Sequence, residues 1–555
     1  MADTTTGHAR PLSDSDSGQP TKKQRLDKHD TKTTEDGAQE KKKQPKKISK
    51  RSKKKARGLE PEPYSNDDVL WRDIVQLLGK DAADQAIEEG TETDSPFEFR
   101  EEIDLDIAAF TSSGEGIGIA QEPKRRWAVI VPFSLPGEKV RARIYRNQRL
   151  HSFADFVEVI TPNPELRDNT RVQCKHFGAC AGCQYQMLSY EKQLDLKRDV
   201  VVKAYKNFSD LPDSSMPEIG STIASPLQYG YRTKLTPHFE APPKKLQKTL
   251  TPVTGSEKPD WLKIGFNRIG TRNTMDIEEC PIATSTIRDA LGPTRENIIQ
   301  NIHTYKRGVS LLLRDSIDTT SAGSDPVSEL AESLEKHVCV KDHKATIRER
   351  VGDLLFEYQA GSFFQNNNSV LIPLTSYVRD AIFAPTPSAT AVVSTNERPT
   401  HLVDAYCGSG LFALSLAPHF EIVAGIELSV DSIRFATRNA ELNKMPAGKC
   451  TFRSGDAANI FDSVGEFPPE RTVLVIDPPR KGCDERFLSQ LLAFRAAKVV
   501  YVSCNVHTQA RDIGAIVGRT AGEPDGKRYV LESLRGFDLF PQTAHVESVA
   551  VLKLV

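Results

Sequence analysis

Short apolar runs that break at a polar residue or a proline recur along the C-terminal third of the chain. Residues 473–476 and 500–502 are rich in β-branched residues, which is typical of buried parallel strands. The breaks place Asp477, Pro478 and Cys504 at the carboxyl ends of these strands. Because ligands bind at that edge of open α/β sheets, the pattern predicts a doubly wound sheet with a site at its strand ends.

A second strand-end signal lies upstream, where residues 401–414 read as a strand, a glycine turn and a helix. Glycines let the backbone approach a ligand, and the start of a helix presents unpaired N–H groups to it. Glu427 ends the next predicted strand, where a carboxylate can accept hydrogen bonds from ribose hydroxyls. Ala413 stands where a dinucleotide site usually has its third glycine. With Asp404 before the turn, this shorter form favours S-adenosylmethionine over NAD.

The Cys504 thiol at a strand end is placed to act as a nucleophile. Free cysteine is also among the most buried residue types, so a small core residue is the alternative. Glu547 follows shortly before the last apolar run of the chain. An unperturbed thiol is only slightly ionised at neutral pH, so we expect the surroundings of a nucleophilic Cys504 to be partly electropositive. Arg480 and Lys481 are candidates for that field.

Four of the nine cysteines form a pattern that is typical of a metal centre. Cys174, Cys180 and Cys183 are closely spaced, and Cys280 stands alone before a proline. Three neighbouring thiolates with a remote fourth suit either zinc or an iron–sulfur cluster, and spacing does not separate the two. Reduced structural cysteines without a metal are the alternative. We expect no disulfides, since no secretory signal is evident.

The first sixty residues contain few large apolar residues and a dense basic run at 41–57, which predicts a disordered basic tail. Residues 1–60 have 17 Lys and Arg against 9 Asp and Glu, a charge of +8, so the remaining chain carries −9 of the total −1. Such runs are typical of nuclear localisation or RNA contact, and we expect the protein in the nucleus, the cytoplasm or both. A mitochondrial presequence is the rival, although early acidic residues argue against it.

The rest of the chain divides into four predicted parts. A linker with a short helix spans 61–96, and short strands and turns over 97–162 predict a small β-barrel. Residues 163–358 predict a mixed α/β central domain that carries the cysteine pattern, and the doubly wound domain spans 359–555. No apolar run approaches 20 residues, so we expect no membrane span. We also expect a monomer.

Three C-terminal segments carry a family resemblance. They are Asp477-Pro-Pro-Arg-Lys-Gly482, Ser503-Cys-Asn505 and Pro541-Gln-Thr-Ala-His-Val-Glu547. They resemble the RNA uracil-C5 methyltransferases, most closely the eukaryotic members that act on tRNA, and the resemblance extends from about residue 97 to residue 555. It implies transfer of a methyl group from S-adenosylmethionine to C5 of a uridine in the T-loop of tRNA. Ribosomal RNA as the substrate and a non-catalytic RNA-binding or chaperone role are the alternatives.

The resemblance also implies roles for individual residues. Cys504 matches the family's nucleophile, which adds to C6 of the uracil ring, and Glu547 matches the base that removes the C5 proton. Phe363 matches an aromatic ring beside the target base, and Arg480 lies on the substrate side. The family's methyl-donor contacts match Gln365, Tyr406, Glu427, Asp477 and Asp456.

In this family the same cysteine spacing holds a 4Fe–4S cluster, so the resemblance favours iron and sulfur over zinc. The implied ligands are Cys174, Cys180, Cys183 and Cys280. The resemblance further implies that residues 97–162 form an OB-like RNA-binding barrel. Its basic residues are candidates for phosphate contacts, with a solvated strand face as the alternative. They are Lys139, Arg141, Arg143, Arg146 and Arg149.

Overall fold

The computed structural model describes residues 60–122, 125–247, 258–319, 335–384, 398–455, 461 and 464–555. The predicted basic tail, up to residue 59, and the predicted donor contact Asp456 lie outside the described residues. Within those ranges, no helix combines the length and the apolar character that a membrane crossing requires.

Two helices, α1 (Asn66–Leu78) and α2 (Lys80–Glu89), open the described chain. Ser65 caps α1 by accepting a hydrogen bond from the backbone N–H of Asp68. Gly79, with a φ of +89°, separates the two helices, because few other residues tolerate that backbone conformation. The apolar side of α1 packs against the barrel core.

Five strands follow the linker. They are β1 (Glu102–Phe110), β2 (Gly116–Glu122), β3 (Arg125–Val131), β4 (Lys139–Gln148) and β5 (His151–Thr161). They form a closed barrel in the order β1-β2-β3-β5-β4, which confirms the predicted small barrel. Antiparallel pairing of β1 with β4 closes it, and this closure leaves no unpaired sheet edge. Trp127, on β3, is fully buried inside.

The middle of the chain mixes helices with short strands. The helices are α3 (Tyr190–Phe208) and α4 (Ser285–Asn301). The strands are β6 (Lys234–Leu235), β7 (His238–Phe239), β8 (Val309–Ser310), β9 (Leu313–Ile317), β10 (His337–Val340), β11 (Thr346–Val351) and β12 (Leu354–Gln359). They pair as small antiparallel sheets in the orders β10-β9-β6, β7-β8 and β11-β12.

A seven-stranded sheet dominates the C-terminal part. Its strands are β13 (His401–Ala405), β14 (Ile422–Glu427), β15 (Cys450–Ser454), β16 (Thr472–Ile476), β17 (Lys498–Ser503), β18 (Tyr529–Phe537) and β19 (Glu547–Leu554). The accompanying helices are α5 (Leu371–Phe383), α6 (Leu411–Leu416), α7 (Val430–Leu442), α8 (Glu485–Phe494) and α9 (Val506–Thr520). The sheet order is β15-β14-β13-β16-β17-β19-β18. The first five strands in that order are parallel. β19 runs antiparallel to β17, and β18 pairs antiparallel with β19 at the edge of the sheet.

Helices cover both faces of this sheet. Successive side chains of a strand point to opposite sides, so the apolar side chains on each face pack against a helix layer. Leu474 of β16 and Tyr501 of β17 pack in one apolar cluster with residues of α8 and α9. Val475 and Val500, their neighbours along the strands, pack in another with residues of α5 and α6. The sheet is therefore doubly wound. Its order reverses between β13 and β16, and ligands bind at the strand ends beside such a switch point.

Candidate active site

Four predicted site residues lie at one edge of the seven-stranded sheet. Glu427 ends β14, Tyr406 follows β13, Asp477 follows β16 and Cys504 follows β17. These strands are parallel neighbours, so their carboxyl ends meet at the same edge. β19 runs antiparallel to β17, and its first residue, Glu547, therefore lies at this edge too.

The glycine turn between β13 and α6 leaves room for a ligand. Tyr406 and Gly408 have positive φ angles of 64° and 53°. The Gly408 N–H donates to the Glu427 carboxylate at 3.3 Å, and Asp404 accepts from the Ala413 N–H at 2.8 Å. A Cβ built at Gly408 would meet no atom within 4 Å, so open space lies over the turn.

Three carboxyl groups lie close together under this turn. Burial raises the pKa of Asp404 to about 8, and the charges of Asp477 and Glu427 add to the rise. Burial also raises the pKa of Asp477 to about 7. A cation bound at this edge would relieve the repulsion among these carboxylates. The site is therefore electrostatically suited to a positively charged ligand.

The loop before α5 carries Phe363 and Gln365. Gln365 is buried, whereas the Phe363 ring is 72% exposed. Phe364, between them, packs in one cluster with apolar residues of α6, the helix that follows the glycine turn. The loop and the glycine turn therefore lie against a common helix. The predicted donor contact Gln365 is buried on this loop, and the Phe363 side chain is exposed to solvent.

A cavity of about 260 Å³ lies over Cys504. Arg480 and His545 line it from the sheet edge, and other lining residues come from the start of α1, the β1–β2 turn and α3. Cys504 is half-buried, at the wall of this cavity. The thiol is thus accessible from a cleft between several parts of the chain, which favours the nucleophile over the core residue.

The charges around Cys504 oppose one another. Burial raises the pKa of its thiol to about 12, and the negative charges of Glu547 and Asp477 add to this effect. Arg480 lowers the same pKa through its charge and a hydrogen bond, as predicted for this cation. Burial and the two carboxylates outweigh this guanidinium in their net effect on the pKa of the thiol.

Glu547 is buried and lacks hydrogen-bond partners. Only 1% of the residue is exposed, and neither carboxylate oxygen has a partner among the described residues. Burial and the charge of Asp477 raise the pKa of Glu547 well above its usual range, and Arg480 opposes the rise. Such a carboxylate binds a proton more tightly than an exposed glutamate does, which suits a general base.

The segment 538–546, which leads into Glu547, is held by a buried lysine of α3. The Lys197 side chain has no exposed surface, and its Nζ donates to the Asp538 carboxylate at 2.5 Å. The same Nζ donates to the backbone carbonyls of Phe540 and His545, at 3.0 and 2.8 Å. One side chain therefore fixes three points of the segment.

Two glutamines also form hydrogen bonds with the segment 538–546. Gln193, one turn before Lys197, donates to the Gln542 side chain at 3.1 Å and accepts from the Gln542 N–H at 3.0 Å. The Gln184 N–H donates to the Gln542 carbonyl at 2.8 Å. These residues were not predicted from the sequence. A signal was present, since Gln193 and Lys197 are polar residues four positions apart on the buried face of α3.

The four cysteines predicted as ligands line one cavity of about 230 Å³. All four are free thiols. Burial raises the pKa of Cys183 to about 12 and that of Cys280 to about 11, with contributions from the other thiolates. Among the described residues, no three His, Cys, Asp or Glu side chains are grouped so that they could hold one metal ion. The fold brings the four cysteines to one cavity, but no three of them are placed to hold a metal ion.

Acidic neighbours pair with two of the candidate phosphate contacts on the barrel. Arg141 donates to Asp104 at 2.9 Å and to Glu158 at 2.7 Å. Arg143 donates to Glu102 at 2.6 Å. All three carboxylates are solvent-accessible. For these two arginines the geometry fits the alternative, a solvated strand face.

Known proteins resemble this chain along most of its length. A family model described as tRNA (Uracil-5-)-methyltransferase matches residues 322–456. The chain is 44% identical to the tRNA (uracil(54)-C(5))-methyltransferase of Schizosaccharomyces pombe, over 92% of this chain and 87% of that protein. It is 36% identical to the Saccharomyces cerevisiae enzyme of the same name, over 90% of this chain and 79% of that one.

A solved structure supports the fold. The Pyrococcus abyssi tRNA (uracil-54, C5)-methyltransferase, in complex with S-adenosyl-L-homocysteine, matches with a TM-score of 0.54 and 21% identity. The match covers 81% of this chain and all of that one. The fungal identities extend over nine-tenths of the sequence, and this chain belongs to the tRNA (uracil-5-)-methyltransferase family.

Proposed function

We propose that this protein transfers a methyl group from S-adenosylmethionine to C5 of a uridine in the T-loop of tRNA. The arrangement of Cys504 and Glu547 carries the proposal, because a thiol at a cavity wall and an unpaired, buried carboxylate share one sheet edge. The fungal relatives, which are named for this reaction, support the choice of substrate.

The donor site is proposed for the glycine turn and its neighbours. Open space over Gly408 and the grouped carboxylates fit a sulfonium-bearing nucleoside. S-Adenosylmethionine supplies a methyl group on a positively charged sulfur. Asp456, outside the described residues, stays a proposed adenine contact. The other proposed contacts are Gln365, Tyr406, Glu427 and Asp477.

The mechanism follows from the two reacting groups. The Cys504 thiolate adds to C6 of the uracil ring, and the C5–C6 π electrons then make C5 nucleophilic. C5 takes the methyl group, while the electrons of the broken bond stay on the donor sulfur. Glu547 accepts the C5 proton, and the released electron pair restores the double bond and expels the thiolate. Arg480 stabilises that thiolate.

Replacing each reacting group tests the scheme. Cys504→Ala should abolish methylation, while RNA affinity stays within about twofold because the small change leaves the surface intact. Glu547→Gln should trap a covalent protein–RNA adduct, since the thiolate cannot leave while the C5 proton remains. Radiolabelled methyl transfer and a denaturing gel measure the two results.

Cys450→Ala is the matched control, because this cysteine lies on β15 and has no proposed role. It should methylate like the wild type. Methylation that survives Cys504→Ala would contradict the nucleophile assignment, and free RNA alone with Glu547→Gln would contradict the base.

The RNA-binding role is proposed for the barrel and the central domain, within the limits 97–162 and 163–358. The doubly wound domain, 359–555, would then carry the chemistry, with Phe363 contacting the extruded base through its exposed ring. Mapping 5-methyluridine across total RNA after gene deletion identifies the substrate. Loss from ribosomal RNA, with tRNA unchanged, would favour the alternative substrate. We further propose a monomer in the nucleus, the cytoplasm or both.

The cysteine cavity is proposed to hold a 4Fe–4S cluster. Four free thiols line one cavity, and cluster ligation requires four such ligands close together. The cluster would anchor Cys183 beside Gln184, which binds the segment that leads to Glu547. Methyl transfer itself needs no electron.

Iron content tests this proposal directly. Protein purified without oxygen should be brown and contain iron, and Cys183→Ser should lose most of it. Cys339→Ser is the matched control, because Cys339 lies outside the cysteine cavity, on β10. It should retain the iron. Zinc in place of iron, or equal iron in both variants, would overturn the assignment.

A further inference from the structure

The cavity over Cys504 has a wall that the reaction scheme leaves without a role. Tyr64 and Asn66, at the start of α1, line the cavity together with Cys504 and Arg480. Ser113, in the turn between β1 and β2, lines it as well. We call Tyr64, Asn66 and Ser113 the polar wall. It joins α1 and the barrel to the reacting thiol.

Buried contacts fix the polar wall in place. Asp73 of α1 accepts hydrogen bonds from the Ser112 N–H at 2.7 Å and from its hydroxyl at 3.0 Å, which ties α1 to the β1–β2 turn. The Tyr64 ring lies 5.7 Å from that of Phe208 on α3. The Arg511 guanidinium, on α9, lies over the Tyr64 ring at 4.9 Å. The wall is therefore positioned by the barrel, α3 and the helix that follows Cys504.

The functional groups of the polar wall are free to bind a ligand. Within the described ranges, no hydrogen-bond partner meets the Tyr64 hydroxyl, the Asn66 amide or the Ser113 hydroxyl. Asn66 and Ser113 are exposed, and Tyr64 is half-buried. Neutral hydroxyls and amides of this kind contact phosphate, ribose hydroxyls and base edges in RNA complexes. Arg480, in the same cavity, supplies a positive charge.

We propose that the polar wall binds the RNA strand that adjoins the target uridine and positions that uridine over Cys504. The inference rests on the proposed function, because the uridine must leave its stack to reach the thiol. The nucleotides beside it must then pass the groups that line the same cavity. The segment 61–96, for which the sequence suggested no role, thus belongs to the substrate site.

Substitutions that remove one polar group each test the wall. Tyr64→Phe, Asn66→Ala and Ser113→Ala keep the packing, and each should lower kcat/KM for tRNA about fivefold, the worth of one hydrogen bond. The triple variant should lose about a hundredfold, with an unchanged KM for S-adenosylmethionine. Gln85→Ala is the matched control, because Gln85 of α2 lines a separate cavity. It should match the wild type.

RNA affinity, measured by anisotropy in the Cys504→Ala background with and without the triple change, separates this inference from the proposed function. Weaker RNA binding by the triple variant supports the proposed role of the polar wall, even if the wild type methylates no RNA. Affinity and kcat/KM within twofold of the parent proteins would overturn it. A parallel loss of S-adenosylmethionine affinity and of thermal stability would also overturn it, because the residues would then act on the fold alone.

Discussion

At the scale of single residues, one cation and two carboxylates have opposite effects on the pKa of the Cys504 thiol. Arg480 lowers the pKa of Cys504, whereas burial, Glu547 and Asp477 raise it to about 12. A raised pKa means that the thiolate fraction grows with pH throughout the neutral and mildly alkaline range. The thiol is thus kept mostly protonated, and unproductive alkylation or oxidation is slowed.

This balance predicts opposite effects of two substitutions on the alkylation of Cys504 by iodoacetamide at pH 8. Arg480→Met should raise the thiol pKa and slow alkylation, by about tenfold for each pKa unit. Glu547→Gln removes an opposing charge and should speed it. Mass spectrometry of the peptide that contains Cys504 follows the rate. Lys481→Met, an exposed neighbouring cation, is the control. Equal rates in all variants would contradict the charge assignment.

At the scale of elements, α3 and the segment 538–546 act as one unit. Lys197 contacts Asp538 and two backbone carbonyls of the segment, so the helix fixes the approach to Glu547. The Tyr190 hydroxyl donates to the other oxygen of Asp538, at 2.9 Å. Burial lowers the pKa of Lys197, while Asp538 favours its charged form. Lys197 and Asp538 are therefore each stable as buried charges only while the other is present.

Removing one member of the Lys197–Asp538 pair should destabilise the protein. Lys197→Met should lower the free energy of unfolding by about 3–5 kcal/mol, because Asp538 stays buried without its counter-charge. Lys197→Met combined with Asp538→Asn should recover part of that stability. It should still have a reduced kcat, since the carbonyls of Phe540 and His545 lack their donor. Urea unfolding and steady-state kinetics measure both.

Lys206→Met, an exposed lysine on the same helix, is the control for these variants and should change the free energy of unfolding by less than about 0.5 kcal/mol. A double variant with wild-type kcat would show that Lys197 stabilises the fold without positioning Glu547.

At the scale of the whole molecule, the features predicted from the sequence are those that a local residue pattern determines. Glu427, Asp477 and Cys504 each lie at the end of a recognisable apolar run, and parallel strands bring such ends together. The polar wall could not be predicted, because Tyr64 and Cys504 share a cavity only after distant segments pack together. The net charge effect at Cys504 likewise depends on burial, which a sequence motif does not report.

The two parts of the chain carry opposite net charges. Residues 1–60 carry +8 and the remainder −9, so the basic tail should supply much of the attraction to RNA. Removing residues 1–59 should weaken tRNA affinity about tenfold or more at physiological salt. It should also flatten the dependence of log Kd on log salt, by nearly one for each phosphate that the tail no longer neutralises. The kcat at saturating tRNA should be unchanged, because the residues that line the Cys504 cavity lie beyond the deletion.

A full-length variant with the Lys and Arg residues of 41–57 replaced by Gln distinguishes charge from length. It should reproduce most of the drop in affinity and of the flatter salt dependence, since counterion release depends on charge alone. Fluorescence anisotropy over a salt series measures both quantities. If the truncated protein kept the affinity and slope of the full chain, the acidic folded unit would bind tRNA through its local surface, and the tail would have another use.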